Sequence, residues 1–191
     1  MRERKFTPKV GVMGAANADL TAGERERLAE LALRLGAGIA QRGCVLVTGA
    51  TTGLPEMVAR AARKHGGLTI GISPAANAQE HVAQYCLPLD ATEIIIYTGF
   101  GLKGRNVVNI RSSDIVIIFG GGMGTLNEFT IAYDEGKVIG MLEGTGGVAD
   151  HMREIVAWSN KPTRSLLFYE PEPELLLDKC LDALTVSDRE A

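Results

Sequence analysis

Residues 115–128 read IVIIFGGGMGTLNE, and no other stretch narrows the possible folds of this chain as far. Ile115–Phe119 is a run of five apolar residues, the pattern of a strand covered on both faces, as in a parallel sheet with helices above and below. Four glycines and a threonine follow it and lead into a helix expected from about Thr125 to Asp134. Glycine lets the backbone approach a ligand closely and take up positive φ. The helix start beyond it offers unpaired N–H groups and the positive end of a dipole, which together suit phosphate. Gly120, Gly121, Gly122, Gly124 and Thr125 are therefore the first candidate phosphate contacts. The plain alternative is a connection that is merely rich in glycine. No Lys-Ser/Thr pair follows these glycines, so the triphosphate chemistry of the magnesium-dependent phosphate loop is not implied.

The rest of the chain repeats the same alternation. Val10–Met13 reads as a strand closed by Gly14. Leu28, Leu31, Ala32, Leu35 and Ile39 then share one face at the helical period, behind a capping box of Thr21 and Glu24. Cys44–Val47 is a strand and Thr48–Gly53 a turn. Leu54–Lys64 is a helix with Pro55 in its first turn, and Leu68–Ile72 a strand. Ser73–Cys86 reads as a long loop, and Glu93–Tyr97 as a strand. The glycine-rich Gly99–Gly104 precedes a helix over Arg105–Ser112. Beyond the central motif come a strand at Val138–Leu142, a turn at Gly144–Gly147 and a helix at His151–Ser159. A last helix, Glu174–Leu184, and a polar tail close the chain.

Such alternation implies an α/β fold: a doubly wound, Rossmann-like parallel sheet with helices on both faces. It is expected as one domain over residues 1–191, with a core at about 9–159 and a C-terminal helix at 174–184. Sheets of this kind take ligands outside the carboxyl ends of their strands, where the strand order switches. Glycine clusters stand at four of those ends, which adds Gly14, Ala15, Gly49 and Gly53 to the candidate ligand contacts.

Composition excludes several function classes. A net charge of −3 gives no general positive field for nucleic acid, and 5% aromatic residues cannot furnish a stacking platform for single strands. No nucleic-acid partner is expected, and no membrane partner either, because no apolar run reaches the ~18 residues needed to cross a bilayer. Three cysteines and three histidines are scattered without metal-ligand spacing, so no metal is expected, and a reducing, cytoplasmic location fits. The opening MRERKFTPK is basic but lacks the apolar core of a signal peptide.

Two side chains near the glycine motif can carry chemistry. Thr125-Leu126-Asn127-Glu128 matches a capping box, which accounts for Glu128 without any reaction. Its carboxylate would equally stand beside the phosphate seat as an acid, base or charge stabiliser. Arg105 reads by default as a solvated helix arginine near Lys103 and Arg111, yet it is placed to reach a phosphate. Gly99, Gly101 and Gly104 match the spacing of the dinucleotide fingerprint. The strand that follows ends in Phe119-Gly120 rather than in an acid for the ribose, so NAD is not implied.

Gly120–Glu128, with Arg105 eight residues before Ser113-Asp114, resembles the signature of the LOG proteins over about residues 9–142. Those proteins were long called lysine decarboxylases and include cytokinin riboside 5′-monophosphate phosphoribohydrolases. The resemblance implies a Rossmann-like fold and a nucleotide-like small molecule as ligand. It also implies cleavage of the N-glycosidic bond of nucleoside 5′-monophosphates without a required cofactor, Arg105 and Glu128 as the catalytic pair, and a homodimer or homotetramer. Gly120 stands where that signature has proline, and Asn106 where it has lysine. In these departures, and in Gly144–Gly147, the chain looks closer to a sister branch that includes molybdenum cofactor carriers. That likeness implies binding without hydrolysis, with molybdenum cofactor as cargo.

Overall fold

The computed structural model describes residues 6–16 and 21–190; the basic opening at residues 1–5 lies outside the described residues. Among those described, the strands are β1 (Lys9–Gly14), β2 (Val45–Thr48), β3 (Thr69–Ser73), β4 (Ile94–Tyr97), β5 (Ile115–Phe119), β6 (Val138–Leu142) and β7 (Leu166–Glu170). They form one sheet in the order β4-β3-β2-β1-β5-β6-β7, parallel throughout. The helices are α1 (Ala22–Gln41), α2 (Leu54–Lys64), α3 (Ala78–Ala83), α4 (Gly101–Arg111), α5 (Met123–Asp134), α6 (Met152–Ser159) and α7 (Pro173–Glu190). A 3₁₀ turn over Gly147–His151 introduces α6. This is the doubly wound α/β architecture that the alternation demands.

β5 shows how the apolar pattern builds two cores. Ile115, Ile117 and Phe119 face one cluster, where they meet Leu28, Leu35 and Ile39 of α1, Val58 of α2, and Leu176 and Cys180 of α7. Val116 and Ile118 face the other, with Ile110 of α4, Phe129 and Tyr133 of α5, and Met152 of α6. Successive side chains of a strand point to opposite faces, so a continuous apolar run feeds both layers at once. All five β5 side chains are fully buried, each contributing about 1.5–3 kcal/mol.

α1 begins at the expected capping box: Thr21 Oγ1 accepts from the Glu24 N–H, and the Glu24 carboxylate accepts from the Thr21 N–H. α2 ends at His65, whose Nδ1 lies 2.9 Å from the Ala61 carbonyl oxygen.

Four expectations need correction. The stretch Ser73–Cys86 is not all loop, because α3 forms inside it with Asn77 Oδ1 accepting from the Glu80 N–H. α4 starts at Gly101 rather than at Arg105, so Gly101 and Gly104 are helical and Arg105 sits in the second turn. α5 starts at Met123, two residues before Thr125, with Gly122 as its N-cap. β7 was not expected at all; it is a half-exposed edge strand, paired on β6 from Leu166 opposite Val138. In the first three cases tertiary packing extends or nucleates helix where glycine or short length argues for loop.

The order turns at β1, which leads outward through β2, β3 and β4, while β5 leads the other way through β6 and β7. A crevice opens where adjacent connections diverge to opposite faces, above the carboxyl ends of β1 and β5.

Candidate functional site

A cleft of about 510 Å³ occupies that crevice. Gly14 at the end of β1, with Ala15 and Ala16 beyond it, lines one side, and Gly49 and Thr51 beyond β2 another. Gly121, Gly122, Gly124 and Thr125 beyond β5 form the third. Arg105, Asn106 and Glu128 close it from α4 and α5. Of the residues marked in the sequence, Gly53 and Gly120 stand behind this wall. Gly53 is the N-cap of α2, and a Cβ there would lie 2.3 Å from the carbonyl oxygens of Ala15 and Ala16. Gly120 spends its N–H on Thr145 Oγ1 at 2.9 Å. Arg111 turns away and pairs with Glu135.

The front of α5 is bare. Its N-cap, Gly122, carries no side chain to cap it, and the first return bond runs from the Leu126 N–H to the Gly122 carbonyl. The amides of the first turn, Met123–Thr125, therefore point out of the helix with the positive end of its dipole behind them. Gly121 makes the approach possible at φ +94°, with the Thr125 side chain occupying the space a Cβ would take.

The Gly144–Gly147 turn is also a wall of the cleft, through Thr145, Gly146 and Gly147. The Asp150 carboxylate accepts from the N–H groups of Gly144 (2.7 Å), Thr145 (3.2 Å) and Gly146 (2.9 Å) and so sets the loop's curve. Thr145 Oγ1 donates to the Leu142 carbonyl while accepting from Gly120, and the Val148 N–H donates to the Gly121 carbonyl. Two glycine loops from adjacent strands are thus tied into one surface. Sequence reasoning did not single out Asp150; the signal that could have found it is an acid six residues after Gly144, within reach of a run of free amides.

Glu128 does not cap its helix, since α5 begins too early for Thr125 and Glu128 to form the box. It accepts instead from Arg105 Nη1 at 3.0 Å, and both residues are only 6% exposed. Arg105 is no solvated helix arginine: its guanidinium lies against the backbone of Gly49, where a Cβ would meet Nη1 at 2.3 Å. Burial pushes the Glu128 carboxyl above its ordinary range, against the pull of Arg105 and, more weakly, of Lys103. Arg105 Nε and Asn109 Oδ1 are buried without partners, while Asn106 Nδ2 donates to Asn127 Oδ1 at 2.8 Å. Sequence reasoning missed Asn109, which is wholly buried one helical turn beyond Arg105. The site thus pairs an anion seat with a buried carboxyl whose proton affinity is raised. That pairing suits holding a phosphate while handling a proton or a developing positive charge nearby.

Among the described residues no group of His, Cys, Asp and Glu side chains is gathered for a metal ion, and no helix is long and apolar enough to cross a membrane.

Comparison with known proteins gives this geometry a context. Residues 7–177 match the model of the SLOG cluster4 family. An uncharacterized protein of Archaeoglobus fulgidus is 36% identical over 135 residues, covering 71% of this chain and 80% of its own length. A cytokinin riboside 5′-monophosphate phosphoribohydrolase of Mycobacterium tuberculosis is 35% identical over 140 residues, covering 70% of each chain. The solved structure of the molybdenum cofactor binding protein from Rippkaea orientalis superimposes with a TM-score of 0.73 at 31% identity, covering 94% of this chain and 98% of that one.

Proposed function

This chain belongs to the SLOG cluster4 family, and on that premise we propose that it binds a phosphorylated nucleotide and hydrolyses the N-glycosidic bond of a nucleoside 5′-monophosphate. The observation that carries this reading is the buried Arg105–Glu128 pair on the wall of a glycine-lined anion seat. A protein that only binds phosphate has no need of a carboxyl held in a nearly dry site with a raised proton affinity. The likeness to the mycobacterial phosphoribohydrolase supports the same chemistry.

In this scheme the amides of Gly124 and Thr125 hold the 5′-phosphate and so place C1′ of the ribose toward Glu128. The bond from C1′ to the base nitrogen breaks and its electron pair leaves with the base. The positive charge that grows on the ribose is met by the Glu128 carboxylate, as in glycoside hydrolysis. Water adds its oxygen to C1′ and Glu128 accepts the proton from that water; the departing base takes up a proton from solvent, and Glu128 then returns its proton to solvent, which restores the carboxylate. The products are free base and ribose 5-phosphate. Arg105 keeps the carboxylate ionised and aimed. No cofactor enters the scheme.

The test is incubation of the purified protein with AMP and with cytokinin-type monophosphates, followed by chromatography for free base. Release that disappears in E128A while phosphate binding persists supports the reading; no release from any monophosphate defeats it.

A second reading, a carrier of molybdenum cofactor, draws on a different observation. The structure of the molybdenum cofactor binding protein matches nearly the whole chain, and Gly120 and Asn106 depart from the hydrolase signature where it has a proline and a lysine. In that case the same seat holds the phosphate of the pterin cargo. Mass spectrometry of gently purified protein distinguishes the two, since a carrier retains a pterin and a hydrolase does not. Either form would assemble as a homo-oligomer.

A further inference from the structure

Asn106 lines the cleft and is only 4% exposed, and the proposed chemistry does not use it. It follows Arg105 on α4. Its Nδ2 donates across to Asn127 Oδ1 on α5 at 2.8 Å, as Arg105 Nη1 donates to Glu128 at 3.0 Å. The two bonds join successive residues of the same two helices. Asn127 itself does not line the cleft, so the Asn106 amide group is spent on the wall. An asparagine carries an acceptor as well as a donor. Asn106 Oδ1 takes no hydrogen bond among the described residues, and unlike Asn109 Oδ1 it is not sealed from solvent. A nearly buried carboxamide therefore offers an idle acceptor where it borders the cleft.

A carbonyl oxygen repels a phosphate oxygen, so Asn106 Oδ1 is no part of the anion seat and calls for a donor on the ligand. Its level along α5 says which part of a nucleotide that is. The first-turn amides at Gly124 and Thr125 face the phosphate, and Glu128 stands one turn farther on, about 5–6 Å away. Asn127, and Asn106 with it, lies at the level between the two, where the sugar of a bound nucleotide spans from phosphate to C1′. We propose that Asn106 reads that sugar: its Oδ1 accepts a hydrogen bond from the ribose 2′-hydroxyl, on the carbon next to C1′, so that the cleft selects ribonucleotides over 2′-deoxyribonucleotides. The inference rests on the proposed placing of the phosphate and C1′, and it names the sugar that this site takes.

The test is calorimetry of AMP, 2′-deoxy-AMP and 3′-deoxy-AMP. The wild-type protein should bind AMP at least about tenfold more tightly than 2′-deoxy-AMP, because the deoxy ligand dries Oδ1 and leaves it unpaired. The affinity for 3′-deoxy-AMP should stay near that for AMP. Asn106→Leu keeps the volume and removes the acceptor, so AMP weakens about tenfold while 2′-deoxy-AMP does not, and the ratio falls to near one. Asn106→Ala makes the same comparison with a smaller side chain. A ratio near one in the wild type overturns the proposal, as does a ratio kept in whichever variant folds, because a merely structural asparagine would weaken both ligands alike. Discrimination against 3′-deoxy-AMP in place of the 2′-deoxy ligand overturns it too. The readout is binding, so absence of AMP hydrolysis would defeat the hydrolase reading and leave this ratio standing.

Discussion

The guanidinium of Arg105 occupies the space that a side chain on Gly49 would fill: a Cβ there would lie 2.3 Å from Nη1 and 2.5 Å from Cζ. Gly49 stands on the β2 side of the cleft and Arg105 on α4, so two connections from different parts of the sheet meet at this contact. The absence of one methyl group lets a buried cation turn toward Glu128.

Gly49→Ala should therefore act on the site more than on the fold. The clashing atoms are the far end of a flexible side chain, so Arg105 can move, at an overpacking cost of about 1–3 kcal/mol. The movement withdraws Nη1 from Glu128 Oε1, now 3.0 Å away. Release of base from AMP should fall by about 10²-fold, the scale expected for misplacing a catalytic group by an ångström. Circular dichroism should remain that of the wild type. Retention of full activity by G49A would show that the pair is not set by this contact.

Removing either member of the pair should have different pH consequences. Arg105→Leu leaves a buried carboxyl without its counter-ion, and Glu128→Leu leaves a buried guanidinium; each costs about 3–5 kcal/mol when the survivor stays charged. Only the carboxyl can escape by taking a proton. Burial already holds the Glu128 carboxyl above its ordinary carboxylate value, and losing Arg105 raises it further. A raised acid is protonated in both folded and unfolded states below the unfolded value, so no penalty arises there. The penalty grows as pH climbs through the folded value. R105L should consequently lose more stability at pH 8 than at pH 5, while the deficit of E128L should hardly change between them. Urea denaturation at the two pH values decides this, and equal deficits for R105L would contradict the raised carboxyl.

How much of this was legible in the sequence depends on how local each signal was. The apolar run Ile115–Phe119 and the glycines behind it announce a covered strand and a bare helix start within ten residues, and both stand in the structure. The Thr21–Glu24 box needs only four residues and is found where it was read. Glu128 was harder. Its spacing from Thr125 suits capping, but tertiary packing starts α5 earlier and turns the same carboxyl inward to Arg105. The partnership spans 23 residues of sequence and two helices, so no local pattern betrays it; only the family resemblance set the two side by side. Nothing around Gly49 or Asn109 in the chain marks what they touch. β7 was missed because Leu166–Glu170 is a short edge strand with half-exposed residues, which blurs the alternation.

The Gly144–Gly147 wall should respond to a residue outside the cleft. Asp150 is exposed, yet its carboxylate holds three loop amides. Asp150→Ala frees them to water at a stability cost of about 1 kcal/mol, because exposed groups rehydrate. It also relaxes the contact between Gly147 and the Gly121 carbonyl, which supports the anion seat. Affinity for AMP by calorimetry should drop about tenfold, and D150N, which keeps an acceptor, should lose less. Unchanged affinity in D150A would mean that the Gly121–Thr125 loop holds its shape alone.

The last prediction concerns what the seat recognises. Arg105, the cation among the described residues that line the cleft, is engaged by Glu128, so the attraction for phosphate falls to backbone amides of the first α5 turn and the dipole behind them. Two such charge-assisted bonds at about 1.5–3 kcal/mol each amount to at least a hundredfold in affinity. AMP should bind at least that much more tightly than adenosine, which offers the same base and ribose but no anion. Inorganic phosphate should compete with AMP and not with adenosine. Short-range amide contacts inside a cleft are screened less than exposed lysines, so raising salt from 50 to 300 mM should weaken AMP by only about two- to threefold. Equal affinity for AMP and adenosine would remove the anion seat, and with it the reason for a helix that begins on bare glycine.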